Sequence, residues 1–242
     1  MSTSTLVKKL FAIAAAGAMT ALFSSNAQAS VLYKVDDGQS NLSVGVTGGS
    51  GRYDLFWLNS FTVQPQGEVI NSISLTWGTP VYAGLTGMFP GMATEVLLYS
   101  DPNNDGNPND AVLLTSATTA VANPNTDIFT KVAIAPTKVT GNFFIAALMR
   151  NLNIGTTYPA SLDTTSPVNN RSWIGFTGGN SFNVNNLSGL FRTESVGLPG
   201  NFMLRAEGEG VSVPEPASVV GLLAFGAVGT TLRRKRKQQQ EG

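Results

Sequence analysis

Over residues 30–212 apolar side chains recur at every second position in short segments, and each segment is closed by Gly, Asn, Asp or Pro. A strand turns alternate side chains to opposite faces, so a period of two specifies a half-buried strand, whereas an amphipathic helix needs a period near 3.6. Leu42, Val44 and Val46 alternate with polar residues, as do Ile73, Leu75 and Trp77. Residues 96–99, 111–115 and 143–148 are nearly continuous apolar runs, the pattern of central strands covered on both faces. About ten such segments, spaced by roughly 8 to 15 residues and without a long helical period, predict an all-β fold. The expected architecture is a single antiparallel β-sandwich, jelly-roll or Ig-like, over residues 30–210.

The 242 residues contain neither cysteine nor histidine. This excludes a Cys/His zinc site, a Cys or His nucleophile, a Ser-His-Asp triad and any disulfide. A domain of this size buries an adequate core without disulfides. The formal net charge of zero averages over unlike segments. Residues 30–212 hold eight basic against thirteen acidic residues, a balance of −5, so the folded part is mildly acidic. Nucleic-acid binding rests on a basic surface that displaces counterions from phosphates, and that class is set aside.

Two terminal segments stand apart from the β pattern. At the N-terminus, Lys8 and Lys9 precede an apolar run over 10–23, and the small-residue pattern Ala27-Gln28-Ala29 follows. That order predicts a secretory signal peptide over 1–29, cut by signal peptidase between Ala29 and Ser30. The C-terminal segment, 211–242, has three parts: Val213-Pro214-Glu215-Pro216, an apolar stretch over 217–232, and Arg233-Arg234-Lys235-Arg236-Lys237. The prolines keep Glu215 in an extended, accessible segment. Sixteen residues span about 24 Å as a helix, a marginal length for a hydrocarbon core of about 30 Å. Five cations hold the far end in the cytoplasm, which leaves the domain outside.

This tail resembles the PEP-CTERM sorting signal of Gram-negative bacteria. The resemblance covers about the last thirty residues. It implies recognition by exosortase, a membrane transpeptidase-like enzyme, with Pro214, Glu215 and Pro216 as the recognition and cleavage residues. It further implies a transient inner-membrane anchor through the C-terminal helix, a final place at the cell surface or in the extracellular matrix, and a host that makes exopolysaccharide and biofilm.

Within the β region, Asp101-Pro102-Asn103-Asn104-Asp105-Gly106-Asn107-Pro108-Asn109-Asp110 joins two strands. Oxygen donors at Asp101, Asn103 and Asp105, followed by Gly106 for a tight turn, reproduce the opening of a calcium loop, D-x-[DN]-x-[DN]-G. The twelfth position is Val112 where an EF-hand has its bidentate Glu, so Asp110 is the remaining late carboxylate. Turns capped by Asn and Asp side chains select the same residues without a metal, and both readings stand on sequence alone. Bound calcium would tie down a long hairpin. This loop with its flanks (97–114), together with Tyr158-Pro159-Ala160-Ser161-Leu162-Asp163 and Arg171-Ser172-Trp173-Ile174-Gly175, also resembles exported bacterial β-domains of unknown function.

Carbohydrate-binding β-domains stack sugar rings on exposed aromatics beside polar groups. Trp57 and Trp77 share faces with aliphatic residues and read as core. Ile174 and Phe176 claim one face of their strand, which predicts Trp173 on the other, exposed beside Arg171 as a ligand contact. The loop 82–90, with Met88 and Phe89, is a second candidate.

Catalysis would need a constellation such as the carboxylate pair of a glycoside hydrolase. Asp36-Asp37 and Glu207-x-Glu209 are neighbours in sequence and read as solvated, Glu95 and Asp163 are isolated, and nothing selects a pair, since separation in space is what matters. Gly45-Val46-Thr47-Gly48-Gly49-Ser50-Gly51 lacks the Lys of a phosphate loop and completes no nucleophile elbow. The sequence favours an exported, exosortase-processed, non-catalytic surface or matrix protein associated with exopolysaccharide. The alternative is a carbohydrate-active enzyme of the glycoside hydrolase type working through unrecognised carboxylates.

Overall fold

The computed structural model describes residues 30–178 and 181–210, and these form thirteen strands and three short 3-10 helices. The signal-peptide residues Ala27 and Ala29, the motif Pro214-Glu215-Pro216, and the 217–232 stretch with its Arg/Lys cluster lie outside the described residues. Among the described residues no helix is long and apolar enough to cross a membrane.

All strand pairing is antiparallel. The chain order is β1 (Ser30–Tyr33), β2 (Leu42–Val44), β3 (Arg52–Thr62), β4 (Val69–Leu75), β5 (Ala93–Ser100), β6 (Val112–Ala120), β7 (Thr130–Lys138), β8 (Asn142–Asn153), β9 (Ala160–Asp163), β10 (Ser172–Gly178), β11 (Phe191–Arg192), β12 (Asn201–Phe202) and β13 (Leu204–Glu209). They assemble into a six-stranded sheet, β11-β10-β3-β8-β5-β6, a four-stranded sheet, β1-β13-β4-β7, and a small sheet, β12-β9-β2.

The six- and four-stranded sheets share one core. Leu55, Trp57, Val96, Leu98, Ile145 and Ala147 of the larger sheet belong to the same buried cluster as Tyr33, Ile73, Leu75, Val132 and Leu204 of the smaller. The opposite face of the larger sheet, with Phe56, Leu58, Leu97, Tyr99 and Phe144, is covered by Phe182 and Leu187 from the segment following β10. Cover on both faces explains the continuous apolar runs of β5 and β8, because neither set of alternating side chains meets water. The run 111–115 departs from that expectation. It lies in β6, an edge strand paired only with β5, where Val112 is 51% and Leu114 38% exposed. Trp57 and Trp77 are buried as the sequence predicts.

Register and connectivity define two poles. β3 ends at Thr62 opposite Asn142, and β5 ends at Ser100 opposite Phe143. The short connection from Thr62 to Val69 carries the chain into the smaller sheet at this same pole, where Val69 pairs with Glu209 and Glu209 with Ser30. Both ends of the described domain therefore leave from one pole. At the other pole lie Arg52, paired with Asn153, the start of β5 and the 76–92 connection.

Candidate functional site

The acidic loop joins β5 to β6 as the sequence places it, and its conformation is written by its own Asp and Asn side chains. Asp101, only 4% exposed, accepts the Asn104 N–H on Oδ1 at 3.0 Å and the Gly106 N–H on Oδ2 at 2.7 Å. Asn103 Oδ1 accepts the Asp105 N–H at 3.0 Å, and Asp105 Oδ1 accepts the Asn107 N–H at 2.7 Å. Gly106 takes the left-handed region at φ 76°, which costs a glycine nothing. The N–H of Asn142 donates to Asn104 Oδ1 at 2.6 Å and its amide donates to Asn104 O at 3.1 Å, fixing the loop to β8.

Folding in this way brings Asp101, Asp105 and Asp110 together, each offering a carboxylate oxygen within 4.8 Å of the others. Hard oxygen donors at this spacing suit a calcium ion, which takes six to eight oxygens at about 2.3–2.6 Å; backbone carbonyls and water would complete the shell. Asn103, the fourth expected donor, lies against Asp105. Its Oδ1 accepts the Asp105 N–H and its amide donates to Asp105 Oδ2 at 3.1 Å, which ties it to the middle carboxylate while the second lone pair of Oδ1 stays available.

Beside this loop lies a polar depression of about 240 Å³, lined by Asp105, Asn142, Arg171, Trp173 and Arg192 among others. The structure thus brings Arg171 and Trp173 to the acidic loop, which sequence spacing could not show. Trp173 itself corrects the expectation of an exposed ring: it is 4% exposed. Its ring meets Phe144 edge-on, with centroids 6.2 Å apart at 87°, and the Arg192 guanidinium lies 5.3 Å from its centroid. The covering layer comes from residues beyond β10 that carry no strand period, so alternation alone left the face looking open. Phe176, which borders one hollow together with Ile174, is exposed near the end of the strand. Solvent-facing aromatic surface is found on the 82–90 loop, where Tyr82, Leu85 and Phe89 are exposed while Met88 is buried.

The carboxylates are engaged in different ways, Asp36 and Asp163 inside the fold and Glu207 and Glu209 nearer the surface. Asp36 is buried and held by two nitrogens of Arg205, whose guanidinium carbon sits 3.9 Å from the Phe129 ring centroid. Asp163 is fully buried. Burial pushes its carboxyl up, but hydrogen bonds from the Ser166 side chain and from the backbone of Ser166, Asp37 and Thr165 outweigh that and hold it below the ordinary carboxylate value. Glu207 pairs with Lys131 and Glu209 accepts from Asn71 at 2.7 Å. Asp54, which no sequence pattern marks, is fully buried and accepts from the N–H groups of Asn151 at 2.9 Å and Phe182 at 3.1 Å and from Arg150 at 3.2 Å. Among the described residues burial raises three phenols: Tyr33 is pushed up, Tyr53 to about 12, and Tyr99 further still.

Residues 212–237 match the PEP-CTERM protein-sorting motif. The chain thus carries the sorting signal of exported PEP-CTERM proteins, over the residues where its tail resembles one. No curated protein matches the chain.

Proposed function

We propose that the chain is a surface or extracellular-matrix protein, cut by exosortase near Pro214-Glu215-Pro216, whose β-sandwich domain acts without catalysis and in association with exopolysaccharide. The sorting motif over 212–237 carries this reading. The orientation of the tail agrees with it, since the five cations after the apolar stretch leave residues 30–210 outside. The common core between the two large sheets supports the sandwich assignment. In the acidic loop, calcium bound by Asp101, Asn103, Asp105 and Asp110 serves to rigidify the β5–β6 hairpin, a reading that the closeness of the three carboxylates supports.

The test follows the tail in its host. Replacing Pro214, Glu215 and Pro216 together by Ala should leave an uncut chain in the inner membrane, with Ser30 as its first residue, while the native chain appears at the surface or in the matrix without its tail. Equal release of both would refute exosortase processing. Incubation with the host's exopolysaccharide should give binding without shortening of the glycan. Turnover abolished by a single Asp or Glu substitution would overturn the non-catalytic assignment.

A further inference from the structure

The pole opposite the two domain ends carries a cleft of about 730 Å³. Its volume falls within the range of about 300–1,000 Å³ typical of small-ligand sites. It is formed where β3 begins, β8 ends and the 82–90 loop arches over the start of β5. Four features set its chemistry. Phe89 in the lining is 61% exposed, an aromatic face held in water at a cost unless something covers it. Arg52 is exposed and donates only to the Asn151 carbonyl at 2.9 Å, with no carboxylate within salt-bridge reach among the described residues. Arg150 is already committed, to Asp54 at 3.2 Å and Glu95 at 3.7 Å. The buried Thr94 hydroxyl in the wall has no hydrogen-bond partner among the described residues. The cleft therefore offers one ring, one uncommitted guanidinium and a fixed polar wall.

The backbone around it is shaped rather than slack. Gly87 adopts φ 63°, and a Cβ there would collide with the Thr156 carbonyl, so the loop approaches the 154–157 turn as closely as only glycine permits. On the far side of the same loop a second hollow of about 380 Å³ continues the surface, lined by Tyr82, Leu85 and Tyr158.

We propose that this cleft binds an acidic saccharide unit of a polysaccharide, with the sugar ring on Phe89 and its carboxylate on Arg52. A pyranose presents apolar C–H faces that pack on an aromatic ring, and hydroxyls that Asn151, Asn153 and Glu95 are placed to meet. A guanidinium takes a carboxylate through paired N–H donors, which neutral sugars cannot supply with a partner. In a domain of net charge −5 an uncommitted arginine in a cleft is also the local exception that an anionic ligand would seek. An extended peptide fits less well. Strand addition needs a free sheet edge, and the cleft is built mainly from the ends of β3, β5 and β8, each paired on both sides, the edge strand β6 contributing only Thr118. The hollow beyond the loop gives a polymer room to run on.

The assignment deepens the exopolysaccharide-associated reading and rests on it. The experiment measures binding of the full-length chain in detergent to alginate, a polymer of uronic acids, with neutral dextran and polyglutamate as comparisons. Alginate should bind and dextran should not. Arg52→Gln should weaken alginate binding by roughly 10- to 100-fold, the scale of a lost charge-assisted hydrogen bond. Phe89→Leu should weaken it by about 3- to 10-fold, the scale of a lost ring contact, with Arg52→Lys falling between native and Arg52→Gln. Thermal melting of each variant, unchanged from native, shows that the fold is intact. If neither the host's polysaccharide nor alginate binds the native chain, the broader reading fails with the cleft. If polysaccharide binds and all three variants bind as the native chain does, the cleft assignment alone is overturned. Equally tight, Arg52-dependent binding of polyglutamate would make the ligand an acidic peptide and overturn the saccharide.

Discussion

Calcium binding to the 101–110 loop has a quantitative signature in stability. A ligand that binds only the folded state stabilises it by RT ln(1 + [L]/Kd), and calcium sites of extracellular modules have Kd values of about 10⁻⁴ to 10⁻³ M. With 10 mM calcium that is a gain of about 1.4 to 2.7 kcal/mol. For a domain of this length each kcal/mol moves Tm by about 2–4 °C, so adding calcium to chelator-treated protein should raise Tm by about 3 to 10 °C in differential scanning calorimetry. The three carboxylates are separable. Asp105 is exposed and makes its own turn contact to Asn107, so Asp105→Ala should cost about 1 kcal/mol or less without calcium yet abolish the calcium-dependent rise. Asp101 is buried and holds two backbone N–H groups, so Asp101→Ala should lower stability by about 2 kcal/mol even in chelator. A native Tm unmoved by 10 mM calcium, with no heat on titration, would refute the metal and leave a loop held by its side-chain caps alone.

Three further outcomes follow from the interior. Trp173→Ala should destabilise the domain by about 3–5 kcal/mol in urea unfolding, because it empties the space between Phe144 and the 181–190 layer; a near-neutral change would contradict its burial. Asp36→Ala should cost about 3 kcal/mol by the same assay, since it leaves the Arg205 guanidinium largely buried with only the Phe129 ring; Arg205→Met in the Asp36→Ala background should recover part of that loss. Asp163 sits below the ordinary carboxylate value when folded, so the unfolded chain binds its proton first as pH falls. Its contribution is complete above the unfolded carboxylate range and is lost as pH drops toward the folded value, so Asp163→Asn should lower stability at neutral pH and flatten the acid limb of the stability profile.

Strand content was legible because alternation and turn residues are local signals, and the doubly covered β5 and β8 announced themselves as unbroken apolar runs. The same signal misplaced 111–115, since composition does not say whether a strand has one neighbour or two. Trp173 shows the deeper limit. Its exposure depends on Phe182 and Leu187, which cover it from an aperiodic segment, and no spacing within β10 carries that information. The acidic loop was readable as a turn-built segment because its own Asp and Asn side chains cap its turns, so spacing and geometry have one cause. The distal cleft was half-visible: the 82–90 loop drew notice for its aromatics, but Arg52, Glu95 and Arg150 reach it from three strands and meet only through the sheet register.

The pairing of Ser30 with Glu209 also sets a clock. Among the described residues β1 has β13 as its sole neighbour in its sheet, and β13 separates it from β4, so the first strand of the domain waits for the last. Closing a loop nearly as long as the domain is slow and entropically costly. In a chain threaded through a membrane from its N-terminal end, the six-stranded sheet can pair without β1 or β13, but β1 would dock only when the final strand arrived beside the sorting tail.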